Sequence, residues 1–185
     1  MDGDFARIAI IGTSCSGKTA LAWTLANVLD VPHIELDALH WQPNWTPRPI
    51  EEFRSLTRTA VAAERWVLDG NYSKVRALTW ARATVLIWLN YPFQVIFGRA
   101  LSRTVRRVLF REQLFAGNRE GFRQAFLSRD SILLWVLQTY QRRRHEYPAL
   151  FEQPEYSHLT VMELRTPQET DRFVAVVRAV AGIIA

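Results

Sequence analysis

The 185-residue sequence predicts an α/β fold in which one parallel sheet is covered by helices on both faces. Three observations point to it. Five short apolar segments run continuously instead of alternating with polar residues, as strands buried on both faces do. Helical patterns separate them in turn, so each strand returns to the sheet through a crossover. No repeat, low-complexity tract or Gly/Ser-rich linker divides the chain, and its length suits one core, so residues 1–185 are expected to form a single domain.

The first strand is "RIAII" (7–11), and a helix follows over 18–29. "HIEL" (33–36) is the second strand and precedes a helix at about 50–63. "RWVLD" (65–69) and "TVLIWLN" (84–90) are the third and fourth strands. Two helical patterns come next, at about 92–111 and 121–145. The first of them sets a stripe of Val95, Ile96, Val105 and Val108 against arginines at i, i+4, i+7 and i+8: Arg99, Arg103, Arg106 and Arg107. "LTVMEL" (159–164) is the fifth strand. The last helix, 167–184, is well signed at its start: Thr166 supplies an N-cap, Pro167 the first helical position and Glu169 the capping-box acid.

Composition narrows the classes. Hydrophobic residues make up 49% of the chain, enough for a full core and against disorder. The single cysteine, Cys15, excludes an intramolecular disulfide and agrees with a reducing cytoplasm. The N-terminal residues include acids where a signal peptide would carry basic ones, and no apolar run reaches the ~20 residues of a membrane span. A cytoplasmic protein with no membrane partner is expected. The net charge of +5 is carried almost wholly by arginine, since Lys18 and Lys74 are the only lysines. Arginine suits bidentate contact with phosphate, although genomic base composition alone can produce the same bias.

Between the first strand and the first helix stands "GTSCSGKT" (12–19), the pattern G-x-x-x-x-G-K-[ST] in its required strand–loop–helix setting. Gly12 and Gly17 permit backbone conformations in which the amides of Thr13, Ser14, Cys15 and Ser16 turn inward on phosphate oxygens. The first turn of the helix adds unpaired amides and a positive dipole end. Lys18 is placed to reach the β and γ phosphates, and the Thr19 hydroxyl to ligate Mg²⁺. This is a P-loop NTPase signature with ATP and Mg²⁺ as the expected ligands. Neither lysine lies in the N-K-x-D or T-K-x-D pattern that reads guanine. The third strand ends in Asp69 followed by Gly70, where hydrolytic ATPases carry a glutamate, so transfer to an acceptor other than water is favoured over dedicated hydrolysis.

Asp69, at the end of that strand, is the expected magnesium residue through water, with Glu35 a second. Glu35 and Asp37 stand at i, i+2 where the second strand ends, which would put both on one side. Asp37 is the candidate to accept a hydroxyl proton or orient the acceptor. Trp41, Trp45, Asn71 and Tyr72 follow these strand ends and are candidate acceptor contacts; the indoles could stack a planar acceptor or simply seal the core. Among the arginines, Arg103 and Arg107 are expected to clamp the transferring phosphoryl group, and the glycine- and arginine-containing stretch at roughly 105–130 to form a lid. "RRR" at 142–144 reads as flap contacts or as an outward charge run, the second being favoured.

In order and over nearly the whole chain, "GTSCSGKT", "LDALHW", "VLDGNYSK", "LIWLNYP" and "RDSILLWVLQTYQRRRHEYPAL" resemble the adenylate-kinase-like branch of P-loop kinases. Within it, they resemble the small bacterial DNA topology modulation proteins. "LDxxHW" and "DGNY" carry the specific part. The resemblance implies a three-layer sandwich, strand order 2-3-1-4-5, a helical lid and an acceptor-binding helix. "DGNY" replaces the "DGFPR" of true adenylate kinases and removes an acceptor arginine, which argues against AMP. The expected activity is Mg-ATP-dependent phosphotransfer to a small molecule or nucleotide. A nucleotide-regulated nucleic-acid-binding protein and a slow ATPase switch remain the alternatives.

Overall fold

A computed structural model describes residues 5–110 and 132–184, with side chains over 5–106 and 134–182. Its elements are β1 (Arg7–Gly12), α1 (Lys18–Leu29), β2 (His33–Glu35), α2 (Leu36–His40), β3 (Trp41–Gln42), β4 (Thr46–Pro47), α3 (Ile50–Ala60), β5 (Trp66–Asp69), α4 (Ser73–Trp80), β6 (Val85–Leu89), α5 (Phe93–Phe110), α6 (Ile132–Phe151), β7 (Thr160–Leu164) and α7 (Pro167–Ile184). The main sheet has five strands in the order β2-β5-β1-β6-β7. Counted along the chain among themselves these are 2-3-1-4-5, and every pairing is parallel. β3 and β4 form a separate antiparallel ribbon.

Strand alternation sends side chains into two cores. Ile8, Ile10, Val67, Val85, Ile87 and Leu89 join α1, α5 and α7 on one face. Ala9, Ile11, Trp66, Leu68, Leu86 and Trp88 join α3 and α4 on the other. This explains the continuous apolar runs: in a sheet covered on both sides, neither set of alternate residues meets water. α6 serves both cores, Val136 and Tyr140 packing in the first and Tyr147 in the second. Its middle turn therefore passes over the edge where the strands end. At that edge the register sets Ile10 beside Asp69, Glu35 beside Asp69, and Gly12 beside Leu89.

Several boundaries depart from expectation. β2 stops at Glu35 because Leu36 turns into α2, so Asp37 is placed by a short helix and the i, i+2 strand rule does not apply to it. α4 and the ribbon were not anticipated; each is too short for a periodic signal, α4 burying only Val75, Thr79 and Trp80. α6 continues through Pro148 to Phe151, where aromatic packing of Tyr147 and Phe151 against Trp88 outweighs the missing amide. On α5 the buried row is Ile96, Ala100 and Thr104, while Val105 is 41% exposed. That row contains a small residue and a hydroxyl, which an apolar pattern passes over. The final helix begins as expected: the Glu169 amide donates to Thr166 Oγ1 at 3.1 Å, and the Glu169 carboxylate accepts from the Arg165 amide at 2.7 Å. Among the described residues no helix is long and apolar enough to cross a membrane.

Gly12 is fixed by both conformation and space. Its φ is +150°, and a Cβ there would lie 2.7 Å from the Leu89 carbonyl oxygen and 2.9 Å from Ser16 Oγ. Backbone cannot retreat as a side-chain tip can. Gly12→Ala is expected to destabilise the fold by about 2 kcal/mol. Scanning calorimetry should show Tm lowered by roughly 4–8 °C, and an unchanged Tm would contradict the tight fit.

Candidate functional site

Five residues, 13–17, join β1 to α1. Gly17 (φ 102°) and Cys15 (φ 66°) both take left-handed conformations, and the Ser16 amide closes a turn on the Thr13 carbonyl at 3.1 Å. No side chain caps α1 and no acid sits in its first turn, so its N-terminal amides and positive dipole end are left for an anion. Ser16 Oγ is buried with no hydrogen-bond partner among the described residues. Lys18 Nζ donates to the Thr13 carbonyl at 3.2 Å. An unpartnered buried hydroxyl, an uncapped helix end and an ammonium on one loop fit a polyphosphate.

Side chains from three other elements brace the loop. Asn71 bonds Gly12 twice, its Oδ1 accepting from the Gly12 amide at 3.1 Å and its Nδ2 donating to the Gly12 carbonyl. Arg143 Nη1, from α6, donates to the same carbonyl at 3.3 Å. Arg99 Nη1, from α5, donates to the Ser16 carbonyl at 2.7 Å, with its guanidinium stacked over Tyr91. Asn71 is thus engaged with the loop through one oxygen and one nitrogen bond, leaving a second N–H and a lone pair for the acceptor contact expected from sequence.

On the other side of Lys18 lie the acids. Thr19 Oγ1 donates to Asp69 Oδ2 at 2.7 Å and lies 3.4 Å from Glu35 Oε1. His33 Nε2 holds the second Asp69 oxygen at 2.7 Å. Burial, with the charges of Asp69 and Asp37, pushes the Glu35 carboxyl above its ordinary value. Among the described residues no three acidic, histidine or cysteine side chains form a complete metal cage. A hydroxyl flanked by carboxylates instead suits Mg²⁺, which keeps waters and phosphate oxygens and takes few protein ligands.

Asp37, in the first turn of α2, accepts a 2.5 Å hydrogen bond from Tyr72 OH at Oδ1. Burial and the Asp37 charge push the Tyr72 phenol well above its ordinary value, so it stays a donor. Behind this pair, the His40 ring lies 4.6 Å from Tyr72, 4.8 Å from Trp41 and 4.9 Å from Phe53, and Trp45 meets Trp41 edge-on at 5.6 Å. The geometry therefore brings Asp37, Tyr72, Trp41 and Trp45 into one wall. Arg103 is exposed, lining an open groove of about 650 Å³ along α5 between Arg99 and Arg106. The Arg107 side chain and most of the expected lid, residues 111–131, lie outside the described residues.

Sequence reasoning missed Arg143. It was read with Arg142 and Arg144 as an outward charge run, yet it is only 8% exposed while both neighbours are exposed. Helical spacing carried the signal: Val136, Tyr140, Arg143 and Tyr147 stand at i, i+4, i+7 and i+11, so the middle arginine falls on a buried apolar row. No ion pair joins it to a carboxylate among the described residues, and burial lowers its pKa. Buried charge of this kind is costly until an anion arrives. Burial and the Arg143 charge also push the Lys18 ammonium down to about 8, against the opposing pull of Asp37 and Asp69.

A pH dependence follows. Below pH 8 the Lys18 ammonium is charged and ready for phosphate; as pH rises through its pKa, binding must first recover a proton. Polyphosphate affinity is expected to fall by up to about tenfold per pH unit above 8. Titration calorimetry between pH 7 and 9.5, in buffers of different ionisation enthalpy, should show that fall with proton uptake; constant affinity would contradict the perturbed ammonium.

No protein-family model matches the chain, and no curated protein matches it. Solved structures do. A shikimate kinase from Bacteroides thetaiotaomicron matches with TM-score 0.52 and 18% identity, over 95% of this chain and 97% of that one. A gluconokinase from Sinorhizobium meliloti 1021 matches with TM-score 0.51 and 18% identity, over 98% and 94%. A shikimate kinase from Acinetobacter baumannii in complex with shikimate matches with TM-score 0.52 and 13% identity, over 98% and 92%. The chain has the α/β fold shared by these P-loop kinases.

Proposed function

We propose that the protein is a Mg²⁺- and ATP-dependent phosphotransferase acting on a hydroxyl acceptor. The observation that carries this reading is the opposition of two half-sites at one sheet edge. Lys18, Arg143 and the open amides of α1 gather cationic and N–H groups around Gly12, and Asp37 stands within electrostatic reach of Lys18 and Arg143. Likeness in fold to small-molecule kinases supports the same class.

In this mechanism the loop amides and Lys18 hold the β and γ phosphates, and Arg143 and Arg99 supply further positive charge where it develops on transfer. Ser16 Oγ gains a phosphate oxygen as partner. Thr19, Asp69 and Glu35 would hold Mg²⁺, which would supply positive charge against the phosphates. Tyr72 pins one oxygen of Asp37, leaving the other to accept the acceptor's hydroxyl proton. Gly70 after Asp69 leaves no glutamate there to activate water, which favours transfer over hydrolysis. Arg103 and Arg107, on the arginine face of α5, are assigned to the outer phosphates.

The "LDALHW" and "VLDGNYSK" elements that carry Asp37, Trp41 and Tyr72 support a reading as a kinase that resembles the DNA topology modulation proteins. A cytoplasmic setting fits the single cysteine. The test is ADP release over a panel of nucleosides, nucleotides, sugars and 5′-hydroxyl oligonucleotides. At least one acceptor should raise turnover about tenfold or more over the acceptor-free rate. Equal turnover with every acceptor and with none would point to an ATPase instead. Salt-sensitive DNA binding indifferent to ATP and to Lys18→Ala would point to a nucleic-acid-binding module.

A further inference from the structure

The wall around Asp37 differs in character from the phosphate cradle facing it. Aromatic rings make up much of its half-buried surface. The β3–β4 ribbon sets Trp41 and Trp45 beside α2, both half-buried, and Tyr72 and His40 continue the surface inward. At the ribbon's turn Asn44 (φ 61°) and Trp45 (φ 53°) both adopt left-handed conformations without a glycine. For tryptophan that backbone costs about 1–3 kcal/mol, so this turn retains a strained indole where glycine would be unstrained. His40 Nδ1 is buried within this ring cluster with no hydrogen-bond partner among the described residues.

The cations on this side are engaged with the chain itself. Arg48 donates to the Leu39 carbonyl at 2.9 Å and pairs with Glu52. Arg54 donates to the Lys74 carbonyl at 3.2 Å and lies 3.4 Å from Glu51. Arg76 reaches Glu146 at 3.3 Å and stacks over Trp80. Lys74 is exposed, where water and salt screen it. The buried guanidinium of Arg143 faces Gly12 and Lys18, on the phosphate side. Meanwhile Asp69 and Asp37 both act on Glu35 as like charges. Among the described residues, a carboxylate or phosphate on the acceptor would meet these acids with no arginine fork in position for it.

From this we infer that the acceptor is an uncharged ring compound bearing a free hydroxyl, a nucleoside or neutral sugar, seated against Trp41, Trp45 and Tyr72 beside Asp37. The inference rests on the phosphotransferase reading. In the transfer the acceptor oxygen bonds to the γ phosphorus of ATP and the bond from that phosphorus to the β–γ bridging oxygen breaks. The electron pair leaves on ADP, and the hydroxyl proton passes to Asp37 and then to solvent.

The test compares matched acceptors that keep the reacting hydroxyl: a nucleoside against its 3′-monophosphate, and glucose against gluconate, with shikimate and nucleoside 5′-monophosphates added. The neutral member of a pair should show kcat/KM at least about tenfold higher. Trp41→Ala and Trp45→Ala should raise acceptor KM about tenfold with MgATP affinity within about twofold. Trp41→Phe and Trp45→Phe repeat the comparison should either alanine variant fail to fold. Preference for nucleosides or for sugars distinguishes the two sources, and either supports the inference. A preferred anionic acceptor, or acceptor KM indifferent to both tryptophans, would overturn it. If nothing turns over while MgATP still binds, quenching of tryptophan fluorescence by the neutral compounds supports the inference and its absence overturns it. Loss of MgATP binding itself would instead strike the phosphotransferase reading.

Discussion

Lys18→Ala is expected to lower kcat/KM for ATP by about 10³-fold while leaving the fold intact. The ammonium bonds the Thr13 carbonyl at 3.2 Å, and no other residue of the loop carries a positive charge. Structurally it contributes little: the buried face of α1 is Leu21, Ala22, Leu25 and Ala26. Its folded pKa of about 8 lies below the ordinary 10.5 of an unfolded chain, so burial disfavours the charged form. That cost to stability is fully present below pH 8 and is relieved as pH rises from 8 toward 10.5. At neutral pH, then, thermal melting of Lys18→Ala should match or slightly exceed that of the parent. Unfolding of the variant, or turnover within a few-fold of the parent, would contradict the role given to this side chain.

Asp37→Asn should depress kcat by about 10²–10⁴-fold with MgATP affinity changed less than about threefold. The amide is isosteric and its oxygen can still accept from Tyr72 OH, so the 2.5 Å contact and the ring wall behind it persist. What disappears is a carboxylate oxygen able to take a proton. A loss confined to kcat would place Asp37 on the reacting hydroxyl; a loss shared equally with MgATP affinity would make it an electrostatic partner of Lys18 instead. Unchanged turnover would remove it from the mechanism.

The layered α/β sandwich was legible because burial on both sheet faces writes itself into continuous apolar runs such as "TVLIWLN", and because Thr166, Pro167 and Glu169 mark a helix start locally. The phosphate cradle was equally plain, since Gly12, Gly17 and Lys18 are needed for reasons contained in one loop. What sequence hid depends on contacts between distant segments. Asn71 was read as an acceptor contact, but its two bonds to Gly12 span 59 positions. Arg143 was hidden by its charged neighbours, although the row from Val136 to Tyr147 placed it inward. The left-handed conformation of Trp45 gave no warning, because turn chemistry places glycine or asparagine, not tryptophan, in that region. On α5, Ala100 and Thr104 took the buried row that Val105 was expected to share.

The premise beneath every step is that residues 12–19 grip the polyphosphate of ATP. Isothermal titration of MgATP into the folded protein, alongside Lys18→Ala, tests it most directly. The account predicts saturable one-site binding in the micromolar range, roughly −8 kcal/mol at 1 μM, weakened about 100-fold or more in the variant. A well-folded parent protein that gives no saturable heat with millimolar MgATP, or binds it no better than Lys18→Ala does, would contradict the account.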